Sequence, residues 1–123
     1  MQNQNVKFKI KLKDRAYQYS IRIIKFLDTL PKDTSSQVIA KQLLRSATSI
    51  GANIIEAQAS SSKRDFTNFF NHSLKSANES LYWLGLLKDA KKINNPHLVY
   101  LLNETKELAN ILGSSILTLK GKR

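Results

Sequence analysis

Chemistry at neutral pH usually falls to histidines and paired carboxylates, and this chain offers few of either in a usable arrangement. The histidines are His72 and His97, and they fall on different segments. Neither stands three residues after a Glu, so the Glu-x-x-His repeat of carboxylate-bridged metal bundles is absent. Glu56 and Glu79 are the carboxylates that an acid–base pair would use. Helical carboxylates are more often solvated or salt-bridged than catalytic. No glycine-rich phosphate loop and no nucleophile-elbow serine motif occurs, and there are no cysteines for thiolate chemistry or disulfides. The expectation is a protein without enzymatic activity, metal, cofactor or small-molecule substrate.

A second set of polar residues carries more information. Arg45, Ser49, Asn53 and Glu56 are spaced by four, four and three, which puts them on one helix face. That face reads either as a solvated stripe or, because Leu44, Ala52 and Ile55 flank it, as a partly covered one. If covered, Arg45 and Glu56 need each other or a partner, since buried charges must be paired. Further on, Tyr82, Trp83 and Leu86 fall away from the main apolar stripe of their segment, with Lys75 and Glu79 on the same outer side. Trp and Tyr favour interfaces because they join a large apolar body to a polar tip. This outer face is expected to be a subunit interface, against the alternative that a wide helix simply buries more than one stripe.

The third set is cationic. Twenty Lys and Arg face nine Asp and Glu among 123 residues, a net charge of +11. Residues 1–30 hold seven cations and two anions, and residues 61–94 hold six and three. Such an excess serves either solubility or the capture of a polyanion, whose counterions are released when Lys and Arg neutralise phosphates. The candidates for phosphate contact are the alternating run Lys7, Lys9, Lys11, Lys13 and Arg15, then Arg22 and Lys25, and later Lys63 and Arg64. Phe8 is the run's only aromatic residue, so binding there is expected to be led by charge with little base readout. No apolar block near the start resembles a signal peptide and no stretch is long enough to span a membrane, so a cytoplasmic location is expected.

These residues need elements to hold them, and the punctuation predicts four helices. A basic arm over residues 1–11 leads into a bundle over 12–120, closed by a basic end at 121–123. The first helix is expected from Leu12 to Leu30, with Tyr17, Ile21 and Ile24 at helical spacing and Ile23, Leu27 and Leu30 alongside. Pro31 stops it. The second starts at Thr34 or Ser35, either able to cap it. Its Ala40, Leu43, Ala47, Ile50, Ile54 and Ala57 alternate three and four apart, a heptad seam. Ser60 to Ser62 end the run, and Ser62 with Asp65 resembles a capping box. The third helix is expected from Lys63 to Lys91 on a stripe of Phe66, Phe70, Ala77, Leu81 and Leu84. Asn95-Pro96 opens the fourth, whose seam is Leu98, Leu101, Thr105, Leu108, Leu112 and Leu119. Short connections between long helices favour an all-α, antiparallel up-down four-helix bundle.

The segment from Leu44 to Ala57 carries a resemblance. Arg45, Ser49, Ile50, Asn53, Ile54 and Glu56 fit the pattern Arg-x-x-x-Ser-Ile-x-x-Asn-Ile-x-Glu of the bacterial four helix bundle protein family, also called the 23S rRNA intervening-sequence protein family. Ser62, Lys63, Asp65 and Phe66 resemble that family's third-helix start. Leu74, Lys75, Ala77, Glu79, Tyr82, Trp83 and Leu84 resemble the third-helix core of one common subgroup. The match runs over about residues 15 to 119. Many members have Gly where Ala57 stands, which implies a second helix that runs slightly further here. The resemblance implies a subunit of a homopentameric ring of bundles packed side by side, with no enzymatic activity. Some members are encoded within insertions in large-subunit rRNA genes. A relative in fold is the accessory protein of diversity-generating retroelements, a basic pentamer that works with a reverse transcriptase and its RNA. Two functional expectations follow. One is a basic homo-oligomeric scaffold that binds RNA or DNA through backbone charge. The other is an interaction module that docks a protein such as a reverse transcriptase.

Overall fold

The computed structural model describes residues 11–121. It consists of α1 (Leu12–Leu27), α2 (Thr34–Ala59), α3 (Lys63–Asp89) and α4 (Pro96–Leu119), and no strand occurs among the described residues. Three helix starts have side-chain caps that satisfy an otherwise orphaned backbone N–H. Ser62 accepts from the Asp65 N–H at 3.0 Å, and Asn95 accepts from the Leu98 N–H at 2.9 Å with Pro96 in the first turn. At α2 the cap is Asp33, just before the expected Thr34 or Ser35, and it accepts from the Ser36 N–H at 3.3 Å. Lys91 reaches across from the α3–α4 connection and donates to the same carboxylate at 2.7 Å. Lys91 first, and then Ser36, hold the Asp33 carboxyl well below the usual carboxylate range.

Two helices end earlier than their patterns predict. α1 stops at Leu27 instead of Leu30, because the N–H groups of Thr29 and Leu30 turn back to the carbonyls of Phe26 and Leu27 at 3.0 and 3.1 Å. Leu30 still drops into the core from that turn. α3 stops at Asp89 instead of Lys91, where Lys92 takes a left-handed φ of 58° and the Ile93 N–H closes on the Leu87 carbonyl at 3.0 Å.

The helices pack in chain order, α1 on α2, α2 on α3 and α3 on α4, and α4 returns to α1. With connections of six, three and six residues, this is the antiparallel up-down four-helix bundle. The α2 seam is as the heptad predicts: Leu43, Ala47, Ile50, Ile54 and Ala57 are buried and Ala40 is half-buried. On α3 the buried apolar residues are Phe70, Ala77, Leu84 and Leu87, joined by Ser73 and Ser80, while Phe66 and Leu81 are half-buried. On α4 the seam ends on Ile116, with Leu119 half-buried.

The face of α1 is a correction. Tyr17 and Ile24 are 66% and 46% exposed, and Ile21 is half-buried. The buried face is Ala16, Tyr19, Ile23 and Phe26. Both faces have helical spacing, so periodicity alone does not choose between them. What chooses is a close crossing: a Cβ added at Gly51 would meet the Ala16 Cβ at 3.4 Å. Small residues on both sides let α1 lie against α2, and that contact turns Tyr19 inward and Tyr17 outward.

Candidate nucleic-acid interface

The Arg45 stripe of α2 faces α3 and joins the two helices. Ser76 on α3 donates to the Ser49 hydroxyl at 3.0 Å, and Asn53 donates to the same oxygen and to the Ser49 carbonyl, both at 2.9 Å. Deeper in the contact, Ser46 and Ser80 hydroxyls meet at 2.9 Å and Ser73 donates to the Ile50 carbonyl at 2.8 Å. At the outer edge, Arg45 pairs with Glu79 of α3, and the Trp83 indole N–H donates to that carboxylate at 2.9 Å. Of the two alternatives for Arg45, a pair with Glu56 or another partner, the second holds. Glu56 lies exposed toward the end of α2, and Glu79 is the partner that the fold brings to Arg45.

The outer aromatic face of α3 is also narrower than expected. Trp83 is half-buried and packs against the core, and Leu86 is half-buried as well. Tyr82 is 61% exposed, its ring edge-on to Trp83 at 5.0 Å between centroids. The Glu79 hydrogen bond explains the position of Trp83, since it satisfies the indole N–H and lets the ring lie against the bundle.

The candidate cations fall into distinct settings. Lys7 and Lys9 lie outside the described residues. Lys11 precedes α1 and is exposed, Lys13 is half-buried, and Lys63 and Arg64 are exposed in the first turn of α3. The antiparallel order puts these four at one end of the bundle. Arg15 is neutralised within the protein: its guanidinium holds Glu104 with two hydrogen bonds of 2.7 and 2.9 Å, and Glu107 stands 3.8 Å away. The hydrogen bond to Glu104 is the main cause that raises the Arg15 pKa further.

Arg22 and Lys25 lie toward the other end, where α1 and α4 part to leave a groove of about 450 Å³. Opposite them stand His97 and Tyr100 of α4, over a floor of the buried Phe26 and Leu101. The Arg22 guanidinium lies 4.1 Å from the centre of the Tyr100 ring. Neither Arg22 nor Lys25 has a carboxylate within ion-pair distance among the described residues. His97 and Tyr100 were absent from the sequence-based candidates. Their three-residue spacing matches that of Arg22 and Lys25, but that signal acquires meaning only once α1 and α4 are known to be neighbours.

Among the described residues, no three His, Asp or Glu side chains are grouped to hold a metal ion, and no helix is long and apolar enough to cross a membrane. The architecture is that of a four-helix bundle whose signature polar residues bind its second helix to its third. Residues 9–114 match the family model described as 23S rRNA-intervening sequence protein, and the chain belongs to that family. A solved structure of a protein of unknown function from the S23 ribosomal protein family of Bacteroides thetaiotaomicron is 39% identical, with a TM-score of 0.79. The alignment covers 86% of this chain and 98% of that one. No curated protein matches the chain.

Proposed function

We propose that the protein is a non-enzymatic, basic scaffold of the cytoplasm that binds RNA or DNA mainly through phosphate charge, as a homo-oligomer and specifically a five-fold ring. The observation that carries the nucleic-acid reading is the combination of a +11 net charge with cations such as Arg22 and Lys25 that no carboxylate neutralises among the described residues. Such charge favours a polyanion by counterion release. The test is binding of labelled RNA and DNA across a salt series. Affinity should fall linearly on a log-log plot with a steep slope, and no binding at low salt to either polymer would remove the reading.

The oligomeric part rests on apolar side chains left at the surface, among them Tyr17, Ile55 and Tyr82 at 66%, 50% and 61% exposure. The same observation favours the second reading, a module that docks a protein partner such as a reverse transcriptase with charge guiding the encounter. Light scattering tests the oligomeric part alone, and a monomer would remove it while leaving the docking reading in place. Tyr82→Asp is the probe of choice for the interface, since Trp83 packs against the core and its replacement would report on the fold of one subunit.

A further inference from the structure

The groove between α1 and α4 differs from the rest of the basic surface in having both charge and a stacking plane. Tyr100 is 40% exposed, and the exposed Arg22 lies over its ring. Lys25 stands one turn along α1 from Arg22, and His97 one turn along α4 from Tyr100. No Asp or Glu lines the groove. Further down the same helix pair, the comparable guanidinium of Arg15 is closed off by Glu104. The groove is therefore a place where positive charge has been left without a carboxylate partner, beside a flat π-system and above an apolar floor.

An anion alone needs no aromatic plane, and an apolar ligand needs no cations. A ligand with a flat ring and a phosphate matches both. Unpaired bases stack on aromatic rings and on guanidinium planes, while Lys and Arg meet the adjoining phosphates. We propose that this groove is a subsite for one unpaired nucleotide of a single-stranded nucleic acid. The base adds a layer to the Arg22–Tyr100 stack, and Lys25 neutralises the neighbouring phosphate. A paired base cannot enter, because its faces are covered within the duplex. The subsite rests on the reading of the protein as a nucleic-acid binder, and gives that charge-led binding one point of preference for unpaired strands.

The test compares a labelled oligouridylate with an abasic strand of the same length, which has the phosphates but no bases. The wild-type protein should bind the base-bearing strand roughly five- to 150-fold more tightly, the range expected for one base stacked on an aromatic residue. Tyr100→Ala should erase that preference and Tyr100→Phe should keep it, with circular dichroism showing unchanged helicity in both. Lys25→Gln should weaken both strands alike and lower the salt slope by about 0.7, the single-strand value for one phosphate contact. Equal affinity of the wild type for the two strands, or a preference that survives Tyr100→Ala, would overturn the subsite while leaving salt-dependent binding intact. Uridine monophosphate that competes as well as the strand would replace the strand assignment with a mononucleotide site. If neither strand binds at low salt, the charge-led reading itself fails and the subsite fails with it.

Discussion

Along the contact between α2 and α3 the side chains that bridge the buried part of the seam are small serines. Ala47 and Ala77 are fully buried, and the hydroxyls of Ser46, Ser73 and Ser80 find partners within the contact or on their own helix. Along the contact between α1 and α4 they are large: Tyr19 reaches Thr105 at 2.5 Å, Arg15 reaches Glu104, and beyond them the helices part into the groove. Small residues let helix axes approach, so there is no room between α2 and α3 for anything else. Large residues span a wider gap, and where they run out a cavity remains. The difference separates a contact that holds the bundle together from one that leaves surface available to a ligand.

The sharpest way to break this comparison is to enlarge a residue of the tight contact. Ala77→Leu inserts a branched side chain where none fits, and should cost about 3 kcal/mol, the upper part of the range for overpacked cores. A thermal melt should show the midpoint roughly 10 °C lower. The control is Gly85→Ala on the same helix, where an added Cβ meets nothing within 4 Å and no loss is expected. If Ala77→Leu melts with the wild type, the α2–α3 contact is not close-packed and the contrast with α1–α4 disappears.

The wide contact has its own signature in alkaline solution. Burial pushes the Tyr19 phenol up to about 12 from its usual 10.0. Thr105 donates to the Leu101 carbonyl, so the Tyr19 O–H is the donor to Thr105, and ionisation removes that bond. A phenol whose pKa is raised on folding contributes stability that is complete below pH 10 and lost as pH rises toward 12. The full loss corresponds to about 2–3 kcal/mol. In urea titrations at a series of pH values, Tyr19→Phe should be about 1 kcal/mol less stable at neutral pH for want of the hydrogen bond. It should also lose less between pH 10 and 12 than the wild type. Parallel pH curves for the two proteins would show that the phenol is not held in a dry contact.

Much of this arrangement was legible beforehand, and the misses share a cause. The α2 seam could be read because one stripe of Ala, Leu and Ile keeps its three-and-four spacing unbroken from Ala40 to Ala57 on a single helix. The α1 face could not, because Tyr17–Ile21–Ile24 and Tyr19–Ile23–Phe26 are equally periodic. The choice between them was made by Ala16 against Gly51, two residues far apart in sequence. Arg45 was recognisable as a charge in need of a partner, but Glu79 belongs to another helix, and the pairing depends on how α2 and α3 register. The groove is further out of reach still, since it arises from the place where α1 and α4 diverge. Caps and periods are local and visible in one strand of text; inter-helix register and gaps are not.

The two arginine pairs test the comparison at its finest. Arg15 and Glu104 have side chains 29% and 11% exposed and meet through two hydrogen bonds, whereas Arg45 and Glu79 are 60% and 35% exposed. A bidentate pair that is half out of water loses less to solvent screening than one at the rim. Double-mutant cycles built on Arg15→Ala with Glu104→Gln, and on Arg45→Ala with Glu79→Gln, should give a coupling of about 1–2 kcal/mol for the first and below about 1 kcal/mol for the second. Glu79→Gln keeps an acceptor for the Trp83 N–H, so the second cycle isolates the guanidinium. The order matters more than the values. If Arg45–Glu79 couples the more strongly, the family's signature arginine is what fastens α2 to α3, and the serines and alanines beneath it merely fit. If Arg15–Glu104 does, small side chains hold the α2–α3 contact without help from charge. The α1–α4 contact then depends on an ion pair at one end, and the other end, where Arg22 has no such partner, is left open.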